Sequence, residues 1–213
     1  MRRLVDIFVA GAAAMVLAPV AVLVAMLIRL QLGSPVLFRQ RRSGLEGRQF
    51  TILKFRTMRP ARHEAETDLD RDTPLGRRLR AASLDELPQL VNVLRGDMSL
   101  IGPRPTLPDQ VEHYDARQRG RLTIRPGITG WAQVNGRNSI SWPERIELDL
   151  WYIANRSFWL DLKVLWLTVL NVIRPEGITG EGGINEGFPI AGGGSTPSHG
   201  ATSALFEQVH DHR

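Results

Sequence analysis

The chain has 213 residues and no cysteine, and its 27 basic and 22 acidic side chains give a formal net charge of +5. This length fits one domain with appendages, and the lack of cysteine excludes disulfides, thiolate nucleophiles and zinc–sulfur sites. The positive charge favours an anionic membrane surface or a phosphate-rich ligand. No helix-turn-helix, zinc or base-stacking motif accompanies this charge, so we expect no nucleic-acid partner.

The N-terminal segment is apolar and interrupted by a proline. No charged residue occurs from Ile7 to Ile28, which is long enough for one transmembrane helix. Pro19 lies in the middle, where it removes a backbone hydrogen bond and costs a straight helix about 3 kcal/mol. Arginines flank both ends of the segment, and positive charge marks the cytoplasmic side of a membrane. We therefore predict a re-entrant helix-break-helix hairpin over residues 1–32.

Two alternatives to the re-entrant hairpin remain open. A kinked single span would place one basic end on the opposite side of the membrane. A cleaved signal peptide would suit Met1-Arg2-Arg3, but Arg29-Leu30-Gln31 stands where a small-residue cleavage site is required.

A β-hairpin is predicted after the apolar segment. Two β-rich runs, Val36–Arg41 and Gln49–Thr57, flank a turn that contains two glycines. Lys54 lies near the end of the second run. Only two of the 27 basic residues are lysines, Lys54 and Lys163. In a chain that otherwise uses arginine, a lysine raises the hypothesis that a compact ammonium group is needed there.

The most informative stretch is residues 83–105. Leucine and valine residues recur at helical spacing from Leu84 to Leu94, and Pro88 predicts an irregular start to that helix. Two adjacent carboxylates, Asp85 and Glu86, lie at its head. Because neighbouring negative charges repel, the pair requires a divalent cation or a guanidinium. Arg80 precedes the pair, and Pro103-Arg104-Pro105 follows as a rigid turn.

A purely structural role for these acids remains an alternative. Ser83 and Glu86 have the spacing of a capping box, and acidic residues suit a helix N-terminus.

The second half of the chain predicts helices joined by turns. Residues 106–121 favour a polar helix. The run from Arg125 to Asn138 is rich in turn formers and indicates either the lining of a polar site or a surface loop. Helices are predicted over Glu144–Ala154 and Phe158–Arg174. Tryptophans at positions 142, 151, 159 and 166 suit a membrane-interface belt or ordinary core packing.

The expected fold class is α+β and mainly helical. It combines the re-entrant membrane hairpin, the small β-hairpin and interfacial amphipathic helices. We divide the chain into a membrane helix at 1–32, a catalytic domain at 33–175 and a flexible tail at 176–213. The tail is rich in Gly, Ser and Thr, which favours disorder.

In combination, these motifs resemble the monotopic phosphoglycosyl transferases, bacterial sugar transferases that begin lipid-linked glycan assembly. The resemblance covers about residues 1–175 in order. The segments that carry it are the Pro-broken apolar helix, Lys54–Met58, Ser83–Leu87, Gly96–Ser99, Gly102–Pro105, Arg125–Asn138 and Leu160–Lys163. One departure is Ala18-Pro19, where members often have Ser-Pro; a serine hydroxyl can bond a freed backbone carbonyl.

The resemblance implies transfer of a phospho-sugar from a UDP-sugar to polyprenyl (undecaprenyl) phosphate, giving polyprenyl-diphospho-sugar and UMP. The product enters exopolysaccharide or other glycoconjugate biosynthesis. The family's route is a covalent aspartyl phospho-sugar intermediate. The implied place is the bacterial inner (cytoplasmic) membrane, with the catalytic domain among membrane phospholipids on the cytoplasmic face.

The resemblance also assigns roles to individual residues. Asp85 is the expected nucleophile, and Glu86, together with Asp85, is expected to hold Mg²⁺. Arg80 and Arg104 are expected to clamp phosphate oxygens. Lys54 adds a point charge, and Asp161 is expected to complete the polar cluster. A membrane-anchored scaffold without activity and a soluble nucleic-acid-binding protein are the two competing classes of function.

Overall fold

A computed structural model describes residues 2–60, 63, 67–136 and 140–173. Within these residues the fold is mainly helical with two small two-stranded sheets. The helices are α1 (Arg2–Gln31), α2 (Asp68–Arg71), α3 (Pro74–Ala81), α4 (Gln89–Arg95), α5 (Pro108–Glu112), α6 (Trp131–Val134), α7 (Trp142–Ala154) and α8 (Phe158–Ile173). The strands are β1 (Leu37–Ser43), β2 (Gln49–Phe55), β3 (Ser99–Ile101) and β4 (Gly127–Thr129). The predicted tail at 176–213 lies outside the described residues.

Helix α1 is long, apolar and continuous. It runs from Arg2 to Gln31 with Pro19 inside it, so the break predicted at this proline does not interrupt the helical backbone. Among the described residues it is the one helix long and apolar enough to cross a membrane by length and composition. Most of its central residues are exposed, whereas Ala10 near one end and Ile28 near the other are fully buried.

The N-terminal end of α1 is bonded to the rest of the protein by charged side chains. Arg3 Nη1 donates to the Val93 carbonyl oxygen at 2.6 Å. The buried Asp6 carboxylate accepts from Ser99 Oγ at 2.7 Å and from the Leu100 amide at 3.1 Å. These contacts fix the start of α1 against α4 and β3.

The C-terminal end of α1 is held by the buried side chain of Arg56. Its guanidinium donates to the backbone oxygens of Leu32, Gly33 and Ser34 at 2.5, 2.8 and 3.2 Å. A cation suits this position because the carbonyl groups at a helix C-terminus carry partial negative charge.

The β-hairpin forms as predicted. Strands β1 and β2 pair antiparallel, with Leu37 opposite Phe55 and Ser43 opposite Gln49. Ile52 of β2 packs with Ala10 of α1, with Val93 of α4 and with Met98, while Phe55 packs with Val24 and Ile28 of α1 and with Leu79 of α3. The hairpin therefore lies between α1 and the helices that follow it.

For the middle of the chain, one prediction is wrong and one of two open alternatives is excluded. Residues 106–121 form α5 and a separate 3-10 turn at Gln118–Thr123 instead of one polar helix. Asp115 Oδ1 accepts the Gln118 amide at 2.7 Å, and such side-chain bonds compete with a continuous helix. The described part of the run from residue 125 onward is also not a surface loop.

This run instead supplies part of the core. Strand β4 pairs parallel with β3, and Trp131 and Ala132 of α6 are buried with Tyr152 and Val164. The backbones approach so closely that a Cβ on Gly127 would lie 2.1 Å from the Gly102 nitrogen. Glycine is therefore required here by close packing. In the sequence alone, such a glycine cannot be told from one that forms a turn.

Helices α7 and α8 form close to their predicted bounds. Ser141 and Glu144 make a capping box at the start of α7, in which the Glu144 amide donates to Ser141 Oγ at 3.4 Å and the Ser141 amide donates to Glu144 Oε2 at 2.9 Å. The tryptophans differ in burial. Trp151 stacks on the buried Trp131 at 5.2 Å, whereas Trp159 and Trp166 of α8 are 75% and 63% exposed.

Candidate active site

The acidic pair lies in a tight turn before α4. Ser83 adopts a left-handed conformation with φ 55°, and its side chain caps nothing, so the capping-box interpretation is wrong. A 3-10 turn then covers Leu84–Glu86. Leu87 and Pro88 stay in the right-handed helical region and lead directly into α4. The left-handed residue is an unusual backbone conformation for serine, and such strain concentrates at functional sites.

Glu86 is the centre of an ionic cluster. Its Oε1 accepts Lys54 Nζ at 2.6 Å and Arg104 Nη2 at 3.0 Å. Burial opposes a charge on this carboxylate, but Arg104 and Lys54 outweigh burial and lower the pKa of Glu86 to about 2. Glu86 is therefore ionised at any physiological pH, and it holds the two cations at fixed positions.

Lys54 and Arg104 reach Glu86 from rigid elements. Lys54 is near the end of β2, opposite Phe38 in the hairpin register. Arg104 is exposed, but Pro103 and Pro105 on either side of it are buried. Its carbonyl oxygen accepts Arg121 Nη2 at 3.3 Å. The Pro-Arg-Pro turn predicted from the sequence thus presents a guanidinium to the site on a fixed backbone.

Asp85 is buried and has no bonded partner. Its exposure is 7%, and no hydrogen bond or ion pair to its carboxylate is formed by the part of the chain that the structure describes. Burial and the neighbouring Glu86 raise the pKa of Asp85 to about 6, although Lys54, Arg104 and Arg80 oppose the shift. A mostly buried carboxylate that no described protein group bonds is available to a ligand.

Arg80 lies close enough to influence Asp85, but it bonds elsewhere. Its Nη1 donates to Thr57 Oγ1 at 2.9 Å, and its Nη2 makes a short ion pair with Asp72. Asp72 also accepts Arg77 Nη1 at 3.1 Å. No local motif marked Asp72 as the partner of Arg80. Asp72 precedes α3 and Arg80 lies in the last turn of that helix.

Asp161 is not joined to this cluster. Its Oδ1 accepts Tyr152 Oη at 2.6 Å, and its Oδ2 pairs with Arg2 of α1 at 3.3 Å. Within the described ranges it makes no hydrogen bond or ion pair with Lys54, Glu86 or Arg104. The expected place of Asp161 beside the phosphate-binding residues is therefore not observed. It bonds the start of the membrane helix to α7 and α8 instead.

The other lysine also has a specific neighbour. Lys163 Nζ lies 5.6 Å from the centroid of the buried Trp131 ring, a cation–π distance. The contrast with Lys54 is that Lys54 contacts a carboxylate and Lys163 contacts an aromatic face.

Sequence reasoning missed a second group of charges next to Arg104. Arg121 and Asp149 form an ion pair of 2.6 Å with side chains 2% and 1% exposed, and Tyr114 Oη also bonds Arg121. Arg42 of β1 lies near Arg104, and burial together with Arg104 lowers the pKa of Arg42 to about 10. These residues come from distant parts of the chain, and no local motif marks them.

The donor set is compatible with the expected Mg²⁺. Among the described residues no group of three or more His, Asp or Glu side chains could hold a metal. Mg²⁺ often takes only one or two carboxylates and completes its shell with waters and substrate phosphates. Asp85 offers two oxygens without a protein donor, and both cations that bind Glu86 engage its Oε1. The pair therefore fits a metal that arrives with a phosphate ligand.

Several known proteins are similar in sequence to most of this chain. The family described as bacterial sugar transferase matches residues 1–175. A Bacillus subtilis protein named as the uncharacterized sugar transferase EpsL is 54% identical over 154 residues, which are 71% of this chain and 76% of that protein. The chain belongs to the bacterial sugar transferase family.

Two further relatives of this transferase have named activities. Both are named UDP-glucose:undecaprenyl-phosphate glucose-1-phosphate transferase. The Caulobacter vibrioides protein is 45% identical over 188 residues, covering 82% of this chain and 70% of that protein. The Escherichia coli protein is 38% identical over 182 residues, covering 79% of this chain and 39% of that protein. The resemblance to phosphoglycosyl transferases and the expectation of an enzyme are confirmed.

Proposed function

We propose that this transferase moves a phospho-sugar from a UDP-sugar to polyprenyl phosphate through an aspartyl intermediate. The observation that carries the proposal is the buried, unbonded carboxylate of Asp85 beside the fixed cations Lys54 and Arg104. The activities named for two relatives support the substrate class. Carboxylate nucleophiles that form acyl phosphates are established chemistry.

In the first half-reaction Asp85 attacks the phosphorus that carries the sugar. A bond forms between an Asp85 oxygen and this phosphorus, and the bond from phosphorus to the bridging oxygen of UMP breaks. UMP leaves with the electron pair, so the step needs no proton. With a pKa of about 6, the carboxylate is ionised and able to attack at neutral pH.

The protein's part in this step is to place cations around an anionic diphosphate. Arg104 projects from a rigid turn, and Arg80 is close enough to Asp85 to oppose the rise in its pKa, so we assign both arginines to phosphate oxygens. Asp85 and Glu86 would hold Mg²⁺, which supplies neutralisation of phosphate charge when bound. Glu86 also keeps Lys54 and Arg104 in place while the diphosphate enters.

In the second half-reaction the acceptor phosphate regenerates the enzyme. An oxygen of polyprenyl phosphate bonds to the same phosphorus, and the bond between phosphorus and Asp85 breaks. The carboxylate leaves with its electron pair, and the product is the polyprenyl-diphospho-sugar.

Exposed apolar side chains support placement of this chemistry at a membrane surface. On α8 they recur at helical spacing and so share one side of the helix. On α1 they surround most of its length. The exposed apolar residues of α8 are Phe158, Trp159, Leu162, Trp166, Val169, Leu170 and Val172. Large aromatic side chains that stay exposed on an apolar helix suit the headgroup region of a bilayer.

The two attachments of α1 support the re-entrant arrangement. The helix has 30 residues and is about 45 Å long if straight. Arg3 and Asp6 bond its start to α4 and β3, and Arg56, which follows β2, bonds the residues after its end, so both ends contact parts of the chain outside α1. A span that crossed a hydrocarbon core of about 30 Å would separate its ends to opposite faces. We therefore propose that both ends lie on the cytoplasmic face of the inner membrane.

The test of the activity is UMP release without acceptor. Purified enzyme is mixed with Mg²⁺ and each of a panel of UDP-sugars, beginning with UDP-glucose. An aspartyl intermediate gives about one equivalent of UMP per enzyme, and polyprenyl phosphate then allows turnover. If the first equivalent forms only after the lipid is added, the covalent route is wrong. If no UDP-sugar yields UMP under any condition, the scaffold alternative is favoured.

The test of the topology uses single cysteines, which the native chain lacks. One is introduced at the N-terminus and one at Gly33 in separate variants, and each is labelled in sealed inverted vesicles with a membrane-impermeant maleimide. The re-entrant arrangement predicts labelling of both from the cytoplasmic side. Labelling from opposite sides would establish a span.

A further inference from the structure

Gln89 is a buried polar residue without a hydrogen bond. Its exposure is 2%, and its Nε2 is buried with no partner among the described residues. An amide that is buried and unpaired costs about 1–3 kcal/mol of folding free energy. Native proteins seldom tolerate this cost without a functional reason.

The backbone places Gln89 one helical turn after Asp85. Residues 84–86 form a 3-10 turn, Leu87 and Pro88 have right-handed helical conformations, and α4 begins at Gln89. Side chains four residues apart in such a segment lie on the same side. Asp85 and Gln89 are both buried, so this side faces into the protein.

Asn92, one helical turn after Gln89, shows which element this side of α4 faces. Asn92 is fully buried; its Oδ1 accepts the Leu53 amide at 3.0 Å, and its Nδ2 donates to the Thr51 oxygen at 2.8 Å. Both partners belong to β2, the strand that carries Lys54. Asp85, Gln89 and Asn92 thus form a row of buried polar residues along β2.

Only one member of this row is satisfied. Asn92 uses both ends of its amide, whereas the acceptor Asp85 and the donor Gln89 have no partners within the described ranges. The two unsatisfied groups are neighbours, and they lie at the end of the row that holds the candidate active site. Lys54 and Arg104, the closest cations, are both bonded to Glu86.

We propose that Gln89 is a positioning residue that donates a hydrogen bond from Nε2 to the carboxyl group of Asp85 once the UDP-sugar is bound. This inference rests on the proposed function. Glutamine and aspartate at this spacing on a helix can reach each other by side-chain rotation. One Asp85 oxygen attacks phosphorus while the amide holds the other, which becomes the carbonyl oxygen of the acyl phosphate.

The test compares two methionine substitutions in α4. Gln89→Met keeps the side-chain volume and removes the donor, and Leu90→Met is the matched control because it alters a partly buried apolar neighbour without changing polarity. Both variants and the native enzyme are assayed for acceptor-independent UMP release with UDP-glucose and Mg²⁺. Their thermal unfolding is measured in the same detergent.

We expect the rate of the first UMP equivalent to fall at least about tenfold in Gln89→Met, with the KM for UDP-glucose within about threefold of native. Its Tm should not fall, because no hydrogen bond is lost from the resting protein. Leu90→Met should keep the native rate. Gln89→Asn, which retains an amide donor on a shorter side chain, should be faster than Gln89→Met.

Three results would overturn the inference. A native rate in Gln89→Met shows that the donor is not used. A Tm well below native in Gln89→Met, with a rate that falls equally in Leu90→Met, assigns the effect to packing. If Gln89→Asn is no faster than Gln89→Met, the loss of rate is likewise assigned to packing and not to the amide donor. Absence of UMP from the native enzyme with every UDP-sugar overturns the proposed function as well, so the two failures are distinguishable.

Discussion

Two groups of buried charge meet at Arg104, and they differ in how completely their members are bonded. The carbonyl oxygen of Arg104 accepts a hydrogen bond from Arg121, which pairs with Asp149 and Tyr114. The guanidinium of Arg104 bonds Glu86. In the first group the buried charges of Arg121 and Asp149 pair with each other. In the second group Asp85 has none within the described residues, and burial raises its pKa to about 6.

The difference separates structural from catalytic use of the same residue types. A satisfied buried pair keeps one geometry, because any rearrangement would leave a charge without a partner. An unsatisfied carboxylate beside fixed cations is poor for stability but ready to accept a ligand. We therefore expect substitutions in the first group to change unfolding and substitutions in the second group to change activity.

The largest expected effect is that of Asp85→Asn on activity. The amide keeps the shape of the carboxylate but cannot attack phosphorus, so turnover should fall by about a thousandfold or more. UMP release is measured with native enzyme as the reference, and membrane flotation checks that association is unchanged. Residual activity within about tenfold of native would contradict the assignment of the nucleophile.

Asp149→Ala should have the largest effect on stability. It leaves Arg121 as a buried charge without a partner, which costs about 3–5 kcal/mol. The measurement is thermal unfolding followed by circular dichroism. The double variant Arg121→Met/Asp149→Leu is the control, because removing both charges should recover most of the loss. Equal stability of Asp149→Ala and the native protein would show that the pair is not structural.

The stability of the native protein relative to Asp85→Asn should depend on pH. The pKa of Asp85 is raised to about 6 in the folded state against about 3.9 when unfolded. The carboxyl group of Asp85 therefore contributes about 3 kcal/mol to the free energy of unfolding below pH 4. This contribution is lost as the pH rises through 6. The variant does not titrate there. Without Mg²⁺, its Tm should rise relative to native between pH 4 and 7; a constant difference would contradict the raised pKa.

Local patterns in the sequence predicted the elements that depend on neighbouring residues. The β-hairpin follows from two β-rich runs around a turn, and α4 follows from apolar spacing with Gly96 at its end, where φ is 95°. Asp85, Glu86 and the Pro-flanked Arg104 were recognised because each lies in a short, chemically distinctive segment. In the structure Lys54 and Arg104 both bond Glu86, and the catalytic roles of these residues stay predictions.

Contacts between distant residues were not predictable in this way. Strands β3 and β4 have three residues each, too few to show alternation. Arg121 and Asp149 look like ordinary surface residues until the fold buries them together. Asp161 was expected beside the phosphate-binding residues because Leu160–Lys163 resembles a family segment, and nothing in the local sequence identifies Arg2 as its ion-pair partner.

Lys54→Arg tests whether the unsatisfied group needs a compact cation. Lys54 Nζ is 2.6 Å from Glu86 Oε1, and the same oxygen already accepts Arg104. A second planar guanidinium would compete for this position. We expect at least about a tenfold loss in the initial rate of UMP release, or about 1.4 kcal/mol in the barrier. Lys163→Arg is the matched control and should be milder, because a guanidinium also stacks on a tryptophan.

The smallest effect should come from Glu147→Gln, which sharpens the comparison between bonded pairs. Glu147 of α7 pairs with Arg117, just before the 3-10 turn at Gln118–Thr123, at 2.5 Å. The buried pair of Asp149 and Arg121 joins the same two parts of the fold. The Arg117 side chain is 70% exposed, so water and salt screen the pair. The expected loss of stability is small beside that of Asp149→Ala and decreases further in high salt. A loss as large as that of Asp149→Ala would show that burial is not what distinguishes the two pairs.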